Sequence, residues 1–406
     1  RDIPDFATDL GDEAVVVDAL LGVGIAPGGL KEPLRTLITA LDACHAEVVA
    51  IDVPSGTGED NGQVTDPALH ATLTLTIGYP KVGLYLEPAT FYAGRIEVIP
   101  LDYPGALTDD MAALSILDPI EVGRLLVPRV PSSHKGTYGR LLIIGGSRGM
   151  PGSVGLAAEA AFRAGVGAVV VATAASAQPI VAGFLREAMT VALPETPEGV
   201  ISPEAMRTLL PHLEWATAIA LGPGLTTHPA AAAFTGALLD HWPGPLVLDA
   251  DGLKIAGKRL KLLGERTLPA VCTPHLGEAS ALLGRAREEI QSRRLDVALE
   301  SSRDYNLVLL LKGYRTVIAS PEGRASISVV GNPGMATAGT GDVLTGIIGG
   351  LLAQGVAPYD AARAGAYLHG SAGDGAAAEV GEISLMAGDL IRFLPRAVQA
   401  AMGSEV

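Results

Sequence analysis

At 406 residues the chain exceeds what one ordinary hydrophobic core organises, so two domains are expected. Its net charge of −15 excludes a nucleic-acid backbone or an anionic membrane as the main partner. No stretch reaches the roughly 20 unbroken apolar residues of a membrane helix. Gly at 50 against 4% aromatic residues fits tight turns and close helix–sheet packing, as in α/β enzymes.

In chain order, 14–21 and 47–53 are short β-rich apolar runs, and 33–44 has helical spacing through Leu34, Leu37, Ile38 and Leu41. This strand–helix–strand unit predicts a parallel sheet. Further strands are predicted at 72–77 and 95–100. The mixed stretch 102–131, with Pro104, Asp109, Asp110, Pro119 and Pro128, holds the break between domains, placed at 106–115, and a short helix at 118–126. A second α/β pattern begins with a strand at 140–144, a helix at 154–165, strands at 168–172 and 217–221, a helix at 229–241 and a strand at 246–249. Helices at 277–283 and 295–305, a strand at 308–312 and a hairpin of 315–319 with 325–329 follow. Helices at 343–354 and 358–378 are expected to close the order, giving domains 1–105 and 116–406. Neither a 20–50-residue repeat nor a low-complexity tract is present. Arg1 to Asp5 do not form a signal peptide, and the missing initiator Met reads as a fragment or a processed product. Cys44 and Cys272 lack metal-type spacing and read as small apolar residues in a reducing, cytoplasmic compartment.

The segment Asn332-Pro333-Gly334-Met335 through Gly339-Thr340-Gly341-Asp342 is the most informative in the chain. A Gly-rich loop feeding a helix start aims several N–H groups and the helix dipole at one point, which attracts an anion. Asp342 beside such a point is either a base that takes a proton from a hydroxyl or an acid in a first helical turn, stabilised by the dipole. No Walker A sequence occurs, so a P-loop ATPase is not expected. Four other turns follow predicted strands. Gly145 to Gly152 is a ligand-binding turn or a plain strand–helix turn, without the dinucleotide fingerprint. Lys312-Gly313-Tyr314-Arg315-Thr316 places a Lys and a Thr hydroxyl within reach of a phosphate, or is a hairpin turn. Thr273-Pro274-His275 puts His275 at the mouth of a sheet or on an ordinary surface, and Gly222-Pro223-Gly224 makes a similar turn. In the first domain Asp18, Asp52 and Ser55 end neighbouring strands, where they hold a cation, orient a sugar or cap helices.

Together these motifs resemble a known family. His134-Lys135-Gly136-Thr137-Tyr138-Gly139-Arg140, Gly145-Gly146-Ser147, Gly222-Pro223-Gly224, Leu248-Asp249-Ala250-Asp251-Gly252-Leu253, Thr273-Pro274-His275, Lys312-Gly313 and Asn332 through Asp342 fall in the order of bifunctional NAD(P)H-hydrate repair enzymes. The resemblance implies a C-terminal ribokinase-like three-layer α/β domain, preceded by a partial Rossmann-like α/β domain similar to the back half of an epimerase. It implies ADP- or ATP-dependent dehydration of NADH hydrate and NADPH hydrate, with Mg2+, through phosphorylation of the C6 hydroxyl and loss of phosphate. Asp342 is then the base, and the amides of Gly339, Thr340 and Gly341 stabilise the transferring group. Ala157, Gly224, His275 and Asp342 contact the hydrate; Lys312, Gly313, Tyr314, Arg315, Thr316 and Gly341 contact the nucleotide. In the first domain, Asp18 and Ser55 match potassium-site positions, and Gly22, Val23, Gly24, Ile25, Ala26, Pro27, Gly28 and Asp52 match substrate positions. The family's Asn-Asn-Gly-Gly-Asp-Gly loop has no counterpart here, and Thr57 and Thr72 depart from its usual residues, so the chain is not expected to epimerise by itself. The other readings are a kinase of the same fold that phosphorylates a vitamin precursor or sugar, and a first domain that serves binding or assembly. A homo-oligomer is expected.

Overall fold

The computed structural model describes residues 10, 14–22, 29–103 and 113–403. The chain divides into two compact units, Arg1–Ala112 with Gln291–Arg293, and Ala113–Ile290 with Arg294–Val406. No helix among the described residues is long and apolar enough to cross a membrane.

In the first unit, strands β1 (Val15–Asp18), β2 (Glu47–Ile51), β3 (Leu73–Ile77) and β4 (Arg95–Ile99) form one sheet in sequence order. Every pair is parallel, with Val15 opposite Glu47, Val49 opposite Leu73 and Leu73 opposite Arg95. The helix Leu34–Asp42 makes the first crossover and buries Ile38 and Leu41 against Val48, Ala50, Leu69 and Ala71. Parallel pairing aligns the carboxyl ends of β1 and β2, which carry Asp18 and Asp52.

The second unit is built on a ten-stranded sheet. Its strands are β5 (Leu114–Ile116), β6 (Arg140–Ile144), β7 (Ala168–Ala174), β8 (Met189–Leu193), β9 (Ala218–Leu221), β10 (Leu246–Leu248), β11 (Val271–Cys272), β12 (Val308–Leu311), β13 (Val317–Ala319) and β14 (Ala325–Ile327). Their order is β5-β14-β13-β12-β11-β10-β9-β6-β7-β8. From β8 to β12 all neighbours are parallel; the β12–β13 and β13–β14 pairs are antiparallel. Unbroken apolar runs such as Leu141-Leu142-Ile143-Ile144, all fully buried, are what a parallel sheet covered on both faces requires. Leu141, Ile143, Ala220, Val247 and Leu310 face one layer, formed by helices Gly152–Arg163, Thr340–Ala353, Pro358–Val380 and Ala387–Gly403. On the other face Leu311 packs with Ala279, Ile290 and Val297. The result is three layers, helix–sheet–helix.

The structure adds elements that the hydrophobic pattern did not mark. Helix Ala387–Gly403, not 358–378, closes the order, with Pro395 inside it. Helix Ala205–Trp215 likewise contains Pro211. β5 starts at Leu114, inside the stretch expected as linker, because Ser115 pairs with Ser326 on the sheet edge. Residues 104–112 of that stretch lie outside the described residues. The predicted helix at 343 starts at Thr340, so the Gly-rich segment supplies its first turn.

Candidate active site

Strands β10, β11 and β12 point their carboxyl ends at one place. Each ends in a polar residue where the parallel ladder stops: Asp249 after β10, Thr273 after β11 and Lys312 after β12. The buried Asp249 carboxylate accepts hydrogen bonds from Thr273 Oγ1 at 2.8 Å, Lys312 Nζ at 2.9 Å and Thr345 Oγ1 at 2.8 Å. Burial alone would raise its pKa, but the Lys312 ammonium and the two hydroxyls outweigh burial and hold the carboxyl below its ordinary range. Lys312 is the mirror case. Burial disfavours its charge, while Asp249, Glu278 and Asp342 raise its pKa, so it remains an ammonium.

Helix Thr340–Ala353 brings its amino end to the same point. Gly339 precedes it with φ +91°, a conformation glycine adopts without strain. A Cβ on Gly341 would lie 3.3 Å from Lys312 Nζ, so the ammonium sits against the helix start. The first N–H groups of a helix have no intrahelical acceptor. Asp342, in this turn, has a carboxyl pushed up to about 6 by burial and by the Asp249 charge, against the Ser153 hydroxyl and Lys312. A carboxylate with that pKa is ionised at neutral pH yet takes up a proton readily. Thr340 Oγ1 donates to the carbonyls of Met335 and Thr337, each at 3.0 Å, fixing the loop to the helix.

These groups line a cleft of about 770 Å³. Gly339, Thr340, Gly341, Asp342, His275, Lys312, Gly313, Tyr314, Arg315 and Thr316 all face it. Arg315 holds φ +56° and donates from a guanidinium N–H to Val329 O at 3.0 Å, while Thr316 Oγ1 donates to Gly313 O at 3.1 Å. His275 caps helix Leu276–Leu283: its Nδ1 accepts from the N–H groups of Gly277 (3.0 Å) and Glu278 (3.3 Å), and Glu278 Oε2 accepts from His275 N at 3.0 Å.

Two expected substrate residues lie elsewhere. Ala157 is fully buried between helices Gly152–Arg163 and Thr340–Ala353, where a Cβ on Gly346 would come within 2.1 Å of its carbonyl oxygen. Gly224 is buried at φ +63° beside Gly146 and Met150. Neither lines the cleft; Ser153, on the same helix as Ala157, is the residue that reaches Asp342.

Several site residues had been given no role. Asp249 stood inside a quoted motif, but its hydrogen-bond partners are distant in sequence, and Glu278 lies three residues past the end of another. His369 lines the cleft, and Asp374 accepts from Gly331 N at 2.8 Å and from Asn332 Nδ2 at 2.9 Å, holding the opposite loop. A polar residue on the inner face of an Ala-rich helix was the available signal.

In the first unit Asp18 and Ser55 meet: Ser55 Oγ donates to Asp18 at 2.6 Å and Ser55 N at 2.7 Å, both residues being buried. Asp52 takes φ +71°, unusual for a residue with a side chain, accepts from Ile77 N at 2.9 Å and pairs with Lys81. Burial opposes ionisation of Asp52, but Lys81 and the Ile77 amide prevail and lower its pKa. Gly22 is described; Val23 to Gly28 lie outside the described residues.

Residues 141–396 match the family model described as NAD(P)H-hydrate dehydratase, and residues 2–83 match that of the YjeF-related protein N-terminus. A bifunctional NAD(P)H-hydrate repair enzyme of Moorella thermoacetica is 44% identical over 382 residues, 94% of this chain and 72% of the relative. That of Escherichia coli is 36% identical over 384 residues, 95% of this chain and 71% of the relative. Among solved structures, a ribokinase-like superfamily protein of Enterococcus faecalis superposes with a TM-score of 0.62 at 27% identity, over 71% of this chain and 96% of that one. An ADP/ATP-dependent NAD(P)H-hydrate dehydratase of Bacillus subtilis, co-crystallised with ATP and Mg2+, gives 0.58 at 32% identity, over 70% and 97%. The second unit therefore has a ribokinase-like fold, and the chain belongs to the family of bifunctional NAD(P)H-hydrate repair enzymes.

Proposed function

We propose that the second unit restores NADH and NADPH from their S hydrates at the cost of ADP or ATP. The observation that carries this reading is the convergence, in one cleft, of a carboxyl with a raised pKa, a glycine-flanked helix start and a half-buried ammonium. Asp342 removes the proton of the C6 hydroxyl as that oxygen attacks the terminal phosphoryl group of the nucleotide. The amides of Thr340 and Gly341, with Lys312, receive the charge spread over the phosphoryl oxygens. The C6–O bond then breaks, phosphate leaves with the electron pair, and C5 loses a proton, which re-forms the C5–C6 double bond. His275 and the Asn332 loop border the hydrate, and Lys312 to Thr316 border the nucleotide.

Mg2+ fits this donor set. Asp249 is committed to Lys312 and two hydroxyls, and besides Asp342 the cleft is lined by Glu278, a buried carboxylate whose Oε2 accepts from His275 N. Among the described residues no group of three His, Cys, Asp or Glu forms a closed metal cage, which suits an ion that keeps waters and phosphate oxygens. Glu278 would hold it, and it would neutralise phosphate charge. In the first unit, the oxygen donors Asp18 and Ser55 suit a potassium ion.

The test follows absorbance of the reduced nicotinamide with (S)-NADH hydrate, Mg2+ and either ADP or ATP. Recovery of NADH with release of free phosphate is expected, and Asp342→Ala should slow it by about 10²–10⁴-fold. A stable phosphomonoester without recovered absorbance would instead make the protein a kinase.

A further inference from the structure

The helix Pro358–Val380 carries His369 to the helix start at the edge of the cleft, where Nε2 stands 2.8 Å from the carbonyl oxygen of Thr340. A carbonyl only accepts, so Nε2 carries the proton. We propose that His369 is a positioning residue for the reaction: it holds the Thr340 carbonyl and thereby aims and polarises the Gly341 amide at the phosphoryl group in flight. This rests on the phosphoryl-transfer reading of the cleft.

Three observations support it. First, the Thr340 carbonyl and the Gly341 N–H belong to one planar trans peptide and point in opposite directions, so fixing the oxygen fixes the N–H. The Gly341 N–H lies in the first turn, before Val343 N bonds Gly339 O at 3.1 Å, and Gly341 lines the cleft. Second, beyond the helix ladder, in which the Thr340 carbonyl faces the N–H four residues on, the side chains of this turn restrain the peptide little. Gly339 and Gly341 flank Thr340 and have no side chains to restrain their torsions, while the Thr340 hydroxyl is turned away to Met335 and Thr337. Third, the imidazole is neutral. Burial and the nearby Lys312 charge pull its pKa to about 4, against the Thr340 carbonyl and Asp249. A neutral donor adds no second cation beside Lys312. It strengthens the amide through the peptide, because hydrogen bonds in series polarise one another.

The experiment compares His369→Leu with His369→Gln, whose amide nitrogen reaches where Nε2 stands. Steady-state dehydration is measured beside calorimetric affinity for ADP–Mg2+ with and without aluminium fluoride, a mimic of the phosphoryl group in transfer. His369→Leu should lower kcat about 10- to 100-fold, somewhat less than removal of a direct oxyanion donor, and leave KM near wild type. It should weaken the aluminium fluoride complex by a similar factor while ADP alone binds normally. His369→Gln should recover most of both. If His369→Leu does not fold, His369→Asn replaces it, since its shorter amide cannot span the contact. An unchanged kcat, or a Gln variant no better than Leu, overturns the proposal. If the wild type yields no NADH, the dehydratase reading falls, and the aluminium fluoride affinities alone decide the role of His369.

Discussion

As the proposed base, Asp342 acts only when ionised, and its surroundings decide when that is. With its carboxyl raised to about 6 by burial and by Asp249, kcat should fall about tenfold per pH unit well below that value. Asp249→Asn removes the repelling charge, so its residual activity should show an acid limb moved to lower pH, read from a pH–rate profile. The same shift bears on stability. A carboxyl whose folded pKa lies above its unfolded value keeps its proton longer when folded, so stability falls as pH rises from about 4 to about 6. Asp342→Asn should therefore melt higher than wild type at pH 8, and the difference should vanish below about pH 4 in thermal scans. Lys312→Met has the opposite character: it leaves Asp249 buried without its ammonium and should cost about 3–5 kcal/mol in urea unfolding. Asp342, Lys312 and His275 were legible in the sequence because each stands beside Gly or Pro at the end of a predicted element. Asp249 was not assigned a role, because its partners Thr273, Lys312 and Thr345 lie 24, 63 and 96 residues away. Only strand order brings them together.

At the scale of elements, the close approach of helices Gly152–Arg163 and Thr340–Ala353 sets where the base stands. Gly346 permits it, since a Cβ there would fall 2.1 Å from the Ala157 oxygen and backbone must move to admit it. Gly346→Ala should cost about 1–3 kcal/mol in denaturant unfolding and also slow dehydration, because the displaced helix carries Asp342. A stability loss with undiminished kcat would show that the helix start is held by other contacts. The long apolar strands β6, β7, β9 and β12 and the helices with clear periodicity could be read from the pattern. β11 could not, as its two residues are too short for any period. Helices Ala205–Trp215 and Ala387–Gly403 were hidden by Pro211 and Pro395, which tertiary packing tolerates although local rules penalise them.

For the whole molecule, the second unit contains its own sheet, core and cleft. Residues 113–406, expressed alone, should fold and dehydrate the S hydrate at the rate of the full chain; loss of activity on excision would make the first unit part of the dehydration machinery. Nucleotide should stabilise that unit, with ADP or ATP at a hundredfold its Kd adding about 2.7 kcal/mol, seen as a higher Tm with Mg2+ than without nucleotide. A last consequence concerns how the protein loses function on heating. From Val343 to Ala353 every residue of the helix behind Asp342 is buried, whereas Tyr314, which also lines the cleft, is 47% exposed. In deuterium exchange, the amides around Gly346 and Ile347 should open only when the whole unit does, and those near Tyr314 far sooner. The proposed base is thus mounted on the segment expected to come apart last, and irreversible heat inactivation should track global unfolding instead of preceding it.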